Sequence, residues 1–596
     1  MSNTPPKPRL ALSIGIIGHR PNRLPEAARV KVQADVVNLL DRLHAEVRTA
    51  LAADQEYFSH NEPQLSLISA LAEGADRMAA EAALARGWAL DVALPFAADV
   101  YRTDFETPES NSAFDGLLRK ARSVLVLPGL RLNQTRAYES VGLTVLGQSD
   151  ILLAIWDHGA SGGGGGTTEM LKAAVKLGVP ILHIDANGKS PPRILWSELS
   201  DFPVPADTLD SVPADDVNSG VKLLVEKLVS PPLQGTERRS LKRYIAEQFS
   251  GYNFRCEFPA LMMICGVRSM QKTDWRPSSP QLLADELLKL CPSIPSGELQ
   301  REPGVLALAY GWADAVGIRF AGVFRSAFVL NFLFASSAVI AAVTSLLFAH
   351  DKKYLFVSAE LLLIGVVLIN TIVGRLQAWH QHWFEAREVA ERLRVALALW
   401  MLGARPKTFF GREPAWTGWY ARALVREQGL RSTVLDDAEL SAMRTVLLAV
   451  LAGQCTYHHT TAVRMGKLER RLEVIGLCLF AATALTASAF LAAFLSASHF
   501  LEIHERIPSL VTMLAASLPA LATATYGIRV IGDFEGIARR SERAHDALKK
   551  LIDAINHDQL TLDRLRARAR DTAEAMLGDV SSWRIAAESR SLNLPG

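Results

Sequence analysis

The sequence predicts an α/β fold with a mostly parallel sheet in its amino-terminal part, followed by an all-α membrane region with four transmembrane helices. Two observations carry this prediction. Short apolar segments alternate with segments of helical periodicity over residues 1–190, a pattern typical of consecutive β–α units. The second half contains four long segments with at most one charged residue each, as expected of helices that cross a bilayer.

The clearest β–α–β unit lies between residues 150 and 184. Its two apolar runs, Ile151–Trp156 and Ile181–Ile184, predict buried parallel strands. Between them stand five consecutive glycines, Gly162–Gly166, and a helix that ends at Gly178. The glycine turn therefore follows a strand and precedes a helix, where free backbone N–H groups and the helix dipole favour a phosphate group.

The five glycines could also form only a slack loop. Against this alternative, Thr167, Thr168 and Glu169 occupy the start of the helix, where polar groups cap the helix or contact a ligand. Neither the GxGxxG nor the Walker A pattern is present in the sequence, so those two phosphate-binding fingerprints do not apply.

Further strands and helices precede this unit. The predicted strands are residues 12–17, 64–71, 89–94 and 123–127, and helices are predicted at 26–52, from 73 onward, before 121 and at 137–147. Their alternation predicts parallel strands with helices on both faces of the sheet. The carboxyl ends of such strands share one edge, where this architecture binds ligands.

Candidate ligand contacts follow the predicted strand ends. Arg20 and Arg77 could each bind a phosphate through two hydrogen bonds, or each could pair with a neighbouring carboxylate such as Asp76 or Glu73. His19 could be a ligand group or a donor within the turn. Asp157 could hold a ribose hydroxyl or cap the glycine loop.

Four motifs in one order carry a family resemblance: Ile-Gly-Ile-Ile-Gly-His-Arg (14–20), Ala-Glu-Gly-Ala-Asp-Arg (72–77), Ala-Leu-Pro-Phe (93–96) and Trp-Asp…Gly-Gly-Thr-Thr-Glu (156–169). They resemble the SLOG superfamily of Rossmann-like nucleotide-binding domains, which includes the LOG phosphoribohydrolases and the DNA-processing protein A family. The resemblance implies a nucleotide or nucleotide-derived ligand bound by Gly18, His19, Arg20, Gly74, Asp76, Arg77, Asp157, Gly163, Gly164, Gly165, Gly166, Thr167, Thr168 and Glu169.

The last motif departs from that of the LOG enzymes, which resembles Pro-Gly-Gly-x-Gly-Thr-x-x-Glu. Here Glu169 stands two residues after Thr167 instead of three, and no proline leads. The altered spacing disfavours hydrolysis, so a nucleotide sensor is expected rather than an enzyme. If the protein is an enzyme, a nucleotide N-glycosidic hydrolase with Glu169 as the catalytic carboxylate is expected, although a lone glutamate in a first helical turn is more often structural.

Composition excludes several other function classes. A formal net charge of +2 argues against direct nucleic-acid binding. Five cysteines without CxxC or histidine pairing predict neither a metal site nor a disulfide framework. No cofactor is expected apart from the nucleotide-type ligand.

Four segments predict transmembrane helices: residues 327–349, 354–373, 474–498 and 507–528. Each is close to or longer than the ~20 residues that span the hydrocarbon core. The second contains Glu360, which could line a conduction path or reach the interface two turns from the helix end. Asn331 and Asn370 are predicted to form hydrogen bonds between helices.

Arginine and lysine residues flank the outer ends of both predicted hairpins, whereas the short loops at 350–353 and 499–506 carry less positive charge. The positive-inside rule therefore places the amino- and carboxyl-terminal regions in the cytoplasm. The predicted domains are 1–190 (α/β nucleotide-binding domain), 191–318 (linker and helical connector), 319–405 (first hairpin with an amphipathic helix), 406–465 (helical connector) and 466–596 (second hairpin with a cytoplasmic helix).

Residues 454–473, the hairpin that follows and Trp583 resemble the SLATT domains, two-helix membrane modules often fused to SLOG domains. This resemblance implies a multi-pass protein of the bacterial inner membrane, in a conflict or antiphage system where nucleotide sensing triggers pore formation or membrane perturbation. A homo-oligomer is expected because four slender helices leave little room for a channel. The alternatives are a membrane-anchored phosphoribohydrolase-like enzyme and a nucleotide-regulated transporter with Glu360 in its path.

Overall fold

The computed structural model describes most of the 596-residue chain. The described residues are 3–159, 166–200, 203–204, 206, 208–232, 235–290, 304–345, 353–406, 415–496 and 506–588. The predicted ligand contacts Gly163, Gly164 and Gly165 lie outside these ranges.

Within these ranges, nine strands form one sheet: β1 (Ala11–Gly18), β2 (Gln64–Ser69), β3 (Ala89–Leu94), β4 (Ser123–Val126), β5 (Ile151–Trp156), β6 (Ile181–Asp185), β7 (Arg193–Leu195), β8 (Ala214–Asp216) and β9 (Thr433–Val434). Their order is β8-β7-β6-β5-β1-β2-β3-β4-β9. All neighbouring pairs are parallel except the two that involve β7. The predicted mostly parallel sheet is confirmed.

Helices cover the sheet: α1 (Glu26–Ala53), α2 (Ala75–Leu84), α3 (Ala98–Tyr101), α4 (Pro108–Lys120), α5 (Gln134–Gln148), α6 (Thr167–Lys176) and α7 (Val217–Val229). Every residue of β2, β5 and β6 is buried. Strands that bury both faces read as continuous apolar runs, which is why β5 and β6 stand out in the sequence.

Residues 191–232, predicted as a linker, contribute β7, β8 and α7 to this domain. The sheet therefore extends past residue 190. β7 and β8 have only three residues each, which is too short for an alternating pattern to appear against a Pro-, Asp- and Ser-rich background.

The rest of the described chain is helical: α8 (Gly235–Ile245), α9 (Glu257–Ile264), α10 (Lys272–Trp275), α11 (Pro280–Leu288), α12 (Gly304–Thr344), α13 (Lys353–Leu376), α14 (Trp379–Met401), α15 (Trp416–Gln428), α16 (Asp437–Ser496), α17 (Arg506–Gly532), α18 (Phe534–His557) and α19 (Leu562–Glu588). Four stretches, in α12, α13, α16 and the α17–α18 segment, are long and apolar enough to cross a membrane. The predicted all-α region with four such helices is confirmed.

The membrane-crossing character of α16 is visible in its packing. None of the 18 residues in the most apolar stretch of α16 is buried inside the protein. Leu477, Leu485 and Leu495 are each more than half exposed. Soluble proteins rarely expose so continuous an apolar surface, whereas a lipid-facing helix does so along its length.

Polar side chains join α12 to α13 within their apolar stretches. The Asn331 side-chain amide donates to Thr371 Oγ1 at 2.9 Å, and that of Asn370 donates to Asn331 Oδ1 at 2.7 Å and to the Ala327 carbonyl at 3.1 Å. The prediction that Asn331 and Asn370 bond between helices is confirmed. Such bonds satisfy amides that hydrocarbon could not solvate.

The helical region is attached to the far edge of the sheet. β9 pairs in parallel with β4, and Ser432 Oγ accepts a hydrogen bond from Val124 N at 3.1 Å. α16 begins at Asp437, directly after this strand, and continues for 60 residues. At 1.5 Å per residue, one helix thus extends about 90 Å from the sheet edge through a membrane-crossing stretch.

Candidate functional site

The order of the strands creates a crevice between β1 and β5. The chain proceeds from β1 through β2 and β3 to β4 on one side, then returns to place β5 and β6 on the other. In open parallel sheets, ligands bind outside the carboxyl ends of the strands at such a switch point. The predicted residues that follow β1 and β5 therefore lie next to each other.

Two glycines allow the end of β1 to approach the start of α2. A Cβ atom on Gly18 would lie 2.4 Å from the Cβ of Ala75. Gly74 has a φ of +94°, and a Cβ there would lie 2.7 Å from the His19 carbonyl oxygen. Both positions therefore require glycine, and the close approach directs the amino end of α2 at the crevice.

Asp157, at the end of β5, is held by three donors. His19 Nε2 lies 2.7 Å from Oδ1, Arg23 Nη2 donates to Oδ2 at 2.7 Å, and Gly159 N donates to Oδ1 at 2.9 Å. Burial alone would raise the pKa of Asp157, but the hydrogen bonds from Gly159, His19 and Arg23 outweigh it and lower the pKa to about 2. This geometry matches the loop-capping alternative for Asp157, and His19 serves as its partner.

Thr168, after the glycine loop, forms hydrogen bonds with Trp156 and Gly159, before the loop. Its hydroxyl accepts from Trp156 Nε1 at 3.0 Å and donates to the Gly159 carbonyl at 3.1 Å. Gly166 is extended, with φ −72° and ψ 161°, and Thr167 begins α6. The ends of the loop are thus fixed where the amino end of α6 meets β5.

Arg20 is the predicted basic residue that remains accessible at the crevice. Its side chain is about half exposed, with Nη2 3.8 Å from Asp104 Oδ2. Its guanidinium carbon lies 6.0 Å from the centre of the Tyr138 ring. At 3.8 Å the ion pair is loose, so the guanidinium can turn toward a ligand at little cost.

Arg77 and Asp76 instead lie inside the domain. Arg77 donates to the Leu71 carbonyl at 3.1 Å and to the Ser110 carbonyl at 2.8 Å, and it stacks 4.2 Å from the centre of the Phe105 ring. The Ser110 hydroxyl also accepts from Arg77 at 2.8 Å. This geometry favours an internal role for Arg77, with backbone carbonyls and a hydroxyl as hydrogen-bond partners instead of the expected carboxylate. Burial raises the pKa of Asp76 to about 7, against the opposing effect of a hydrogen bond from Ser69.

Glu169 faces solvent on the first turn of α6. Its side chain is 40% exposed and lies 3.1 Å from Lys172 Nζ. Ion pairs between residues three apart are common on exposed helix surfaces. The geometry is that of a surface ion pair.

Three residues at the crevice escaped the sequence reasoning. Arg23 binds Asp157, while Asp104 pairs with Arg131 at 2.5 Å and accepts a hydrogen bond from the Tyr138 hydroxyl. The available signal was the position of Arg23 in the turn after β1. Asp104 and Tyr138 belong to segments distant in sequence, and no spacing rule connects them.

The arrangement is suited to binding an anion. Arg20 follows β1, and the amino ends of α2 and α6 follow β2 and β5, so all three lie at the same edge of the sheet. Helix amino ends and an accessible guanidinium each favour negative charge. Among the described residues, no group of three or more His, Cys, Asp and Glu side chains is placed to hold a metal ion.

Comparison with protein-family models finds no match, and comparison with curated proteins finds none either.

Proposed function

We propose that the protein is a membrane-anchored sensor-effector whose cytoplasmic α/β domain binds a nucleotide or nucleotide-derived signal. The ligand occupies the crevice between β1 and β5, with its phosphate near Arg20 and the amino ends of α2 and α6. The observation that carries this proposal is that an accessible guanidinium and two helix amino ends share the carboxyl edge of a parallel sheet, next to the point where the strand order reverses. The motif resemblance to SLOG domains supports it.

Occupancy of the crevice controls the membrane region in this proposal. Arg20 approaches Tyr138 on α5, and α5 also carries Thr144. The Thr144 hydroxyl accepts from Arg566 on α19, which also donates to the carbonyls of Leu402 and Gly403 after α14. α14 directly follows the membrane-crossing α13. If ligand binding shifts α5, the Thr144–Arg566 hydrogen bond transmits that shift to the end of α14 and so to the membrane helices.

The effector is a homo-oligomer in the bacterial inner membrane with both terminal regions in the cytoplasm. Arginines and lysines flank both hairpins on the side away from their short loops, which supports this orientation. Four helices per chain leave little room for a pore, so several copies assemble to conduct or to disturb the bilayer. The resemblance to SLATT modules supports a role in antiphage defence.

The test measures binding and leakage together on the full chain. AMP, ADP, ATP, NAD and ADP-ribose are titrated against detergent-solubilised protein, and each binder is added to dye-loaded vesicles that contain the protein. Arg20→Ala is expected to weaken binding by about 10- to 150-fold, because a charge-assisted contact contributes about 1.5 to 3 kcal/mol. Arg119→Ala, which removes an exposed arginine of α4, serves as the control.

Arg566→Met leaves the crevice unchanged, so it should retain nucleotide affinity while the leakage response falls. Wild-type affinity in Arg20→Ala, or no binding of any of the five probes, would contradict the site. Release of free base that Glu169→Gln abolishes would instead assign a nucleotide hydrolase.

A further inference from the structure

A second basic cavity lies at the end of the first hairpin (α12 and α13) that is opposite to its connecting loop. The residues that line it are distant in sequence from those of the β1–β5 crevice. Its volume is about 270 Å³, and residues from α9, α10, α12, α14 and α16 contribute to its wall. The charged residues that line it are Arg255, Arg268, Arg319, Arg325, Arg387, Asp274 and Glu391. Five guanidinium groups thus face two carboxylates.

Most of these arginines have carboxylate partners. Arg268 binds Asp274 at 2.6 Å, and Arg387 binds Glu391 at 2.7 Å. The remaining partners lie outside the lining: Glu247 pairs with Arg319 at 2.8 Å, Glu257 lies 2.9 Å from Arg255, and Asp314 lies 3.1 Å from Arg387.

Arg325 differs from the others. Within the part of the chain that the structure describes it forms no ion pair, and its guanidinium lies against the rings of Trp383 at 4.9 Å and Phe258 at 5.5 Å. The side chain is partly buried. Contact with aromatic faces offsets only part of the cost of removing a cation from water, so an anion beside Arg325 would be stabilising.

Arg255, a second donor in the cavity, also has an N–H group without a hydrogen-bond partner within the described chain. This group is its buried Nη2 atom. Arg255 Nη1 donates to Asn370 Oδ1 at 2.9 Å. Two guanidinium groups with unused hydrogen-bonding capacity therefore line one cavity, as expected where an anion completes the structure.

The size and chemistry of the cavity restrict its ligand. A phosphate offers several oxygens to guanidinium groups and can accept two parallel hydrogen bonds from one arginine. About 270 Å³ is below the usual range for drug-sized ligands, so it accommodates a phosphate with a short polar substituent. Trp383 and Tyr457 supply aromatic wall for that substituent.

We propose that this cavity is a phosphate-binding site, with Arg325 and Arg255 as the principal donors. The ligand is either a phospholipid headgroup or a soluble phosphomonoester, which share this chemistry. Arg325 stands just before the apolar stretch of α12 that begins near Ala327, and Arg255 is bonded to Asn370 of α13. Occupancy therefore bears on both helices of the first hairpin at their shared end.

The test uses the full chain and two probes. Glycerol 3-phosphate is titrated against protein in a phosphate-free detergent, and retention of phosphatidylglycerol is measured by native mass spectrometry. Arg325→Met is expected to reduce binding of the recognised probe at least tenfold, and Arg325→Lys to retain part of it because the charge remains. Arg470→Met removes an exposed juxtamembrane arginine of α16 and should leave binding unchanged.

The two probes separate the sources of the phosphate. Affinity for glycerol 3-phosphate supports a soluble ligand, whereas selective retention of phosphatidylglycerol supports a lipid headgroup. Failure of the wild-type protein to bind either probe would overturn the proposal, as would equal losses in Arg325→Met and Arg470→Met. If Arg325→Met does not fold, Arg255→Gln gives the same comparison. Arg20→Ala should not alter these results, so this site and the nucleotide crevice succeed or fail separately.

Discussion

Arg566 of α19 bonds both to the sheet domain and to the residues after α14. The loss of stability when Arg566 is replaced can therefore be worked out from its contacts. It is 8% exposed, and it donates to the Leu402 carbonyl at 3.0 Å, to Thr144 Oγ1 at 3.1 Å and to the Gly403 carbonyl at 3.1 Å. Arg566→Met keeps most of the side-chain volume and removes all three bonds.

Two opposing effects set the magnitude. Hydrogen bonds from a charged donor contribute about 1.5 to 2 kcal/mol each, so the three together contribute about 4.5 to 6 kcal/mol. Burial lowers the pKa of Arg566 from 12.5 to about 10, which means that removing the buried charge recovers about 3 kcal/mol. The loss of the hydrogen bonds is the larger effect, and the expected net loss of stability is about 1.5 to 3 kcal/mol.

Hydrogen exchange followed by mass spectrometry measures this loss locally. The amides of the first turns of α19 should exchange about 10- to 150-fold faster in Arg566→Met than in the wild-type protein, because each 1.4 kcal/mol of opening free energy is a factor of ten. Arg570→Met is the matched control on the same helix, since Arg570 is exposed. Equal exchange rates in the two variants would refute the reasoning.

Three further predictions concern the crevice and the membrane helices. Gly18→Ala places a Cβ 2.4 Å from that of Ala75 and should cost about 1 to 3 kcal/mol, measured as a lower thermal midpoint. Asp157→Asn should lower the free energy of unfolding by about 1 to 2 kcal/mol near pH 6, after allowance for solvent screening. Because the folded-state pKa of Asp157 is lowered to about 2, this loss of stability is present above about pH 4 and shrinks as the pH falls toward 2. Urea unfolding at several pH values measures it. A double-mutant cycle of Asn331→Ala and Asn370→Ala should give a coupling of about 0.6 to 1.7 kcal/mol in detergent.

Each of these has its own control and its contrary outcome. A Cβ atom on Gly116 would meet no described atom within 4 Å, so Gly116→Ala should not lower the thermal midpoint; a drop equal to that of Gly18→Ala would remove the steric argument. A pH-independent deficit in Asp157→Asn would show that its carboxylate charge is not what stabilises the loop. Additive effects of the two asparagine substitutions would mean that their hydrogen bond contributes nothing.

The sequence predicted elements whose signal is local. β5 and β6 were visible because a strand buried on both faces is a continuous apolar run, and α16 contains a long uncharged stretch. The placement of Gly18 and Asp157 at one edge of the sheet also followed, since the carboxyl ends of parallel strands share that edge. That β1 and β5 are neighbours came only from the structure. The individual roles did not follow: for both Arg20 and Arg77 the sequence left a ligand contact and an internal ion pair open, whereas the structure leaves Arg20 accessible and buries Arg77.

The sequence by itself determined the α/β class, the four apolar helices and the edge of the sheet where the candidate site lies, because periodicity and hydropathy act over a few consecutive residues. Only the tertiary structure decided the pairing of β9 with β4, the three bonds of Arg566 and the cavity around Arg325. Those features join segments hundreds of residues apart, and their free energy depends on burial and on distances that the order of residues along the chain does not contain.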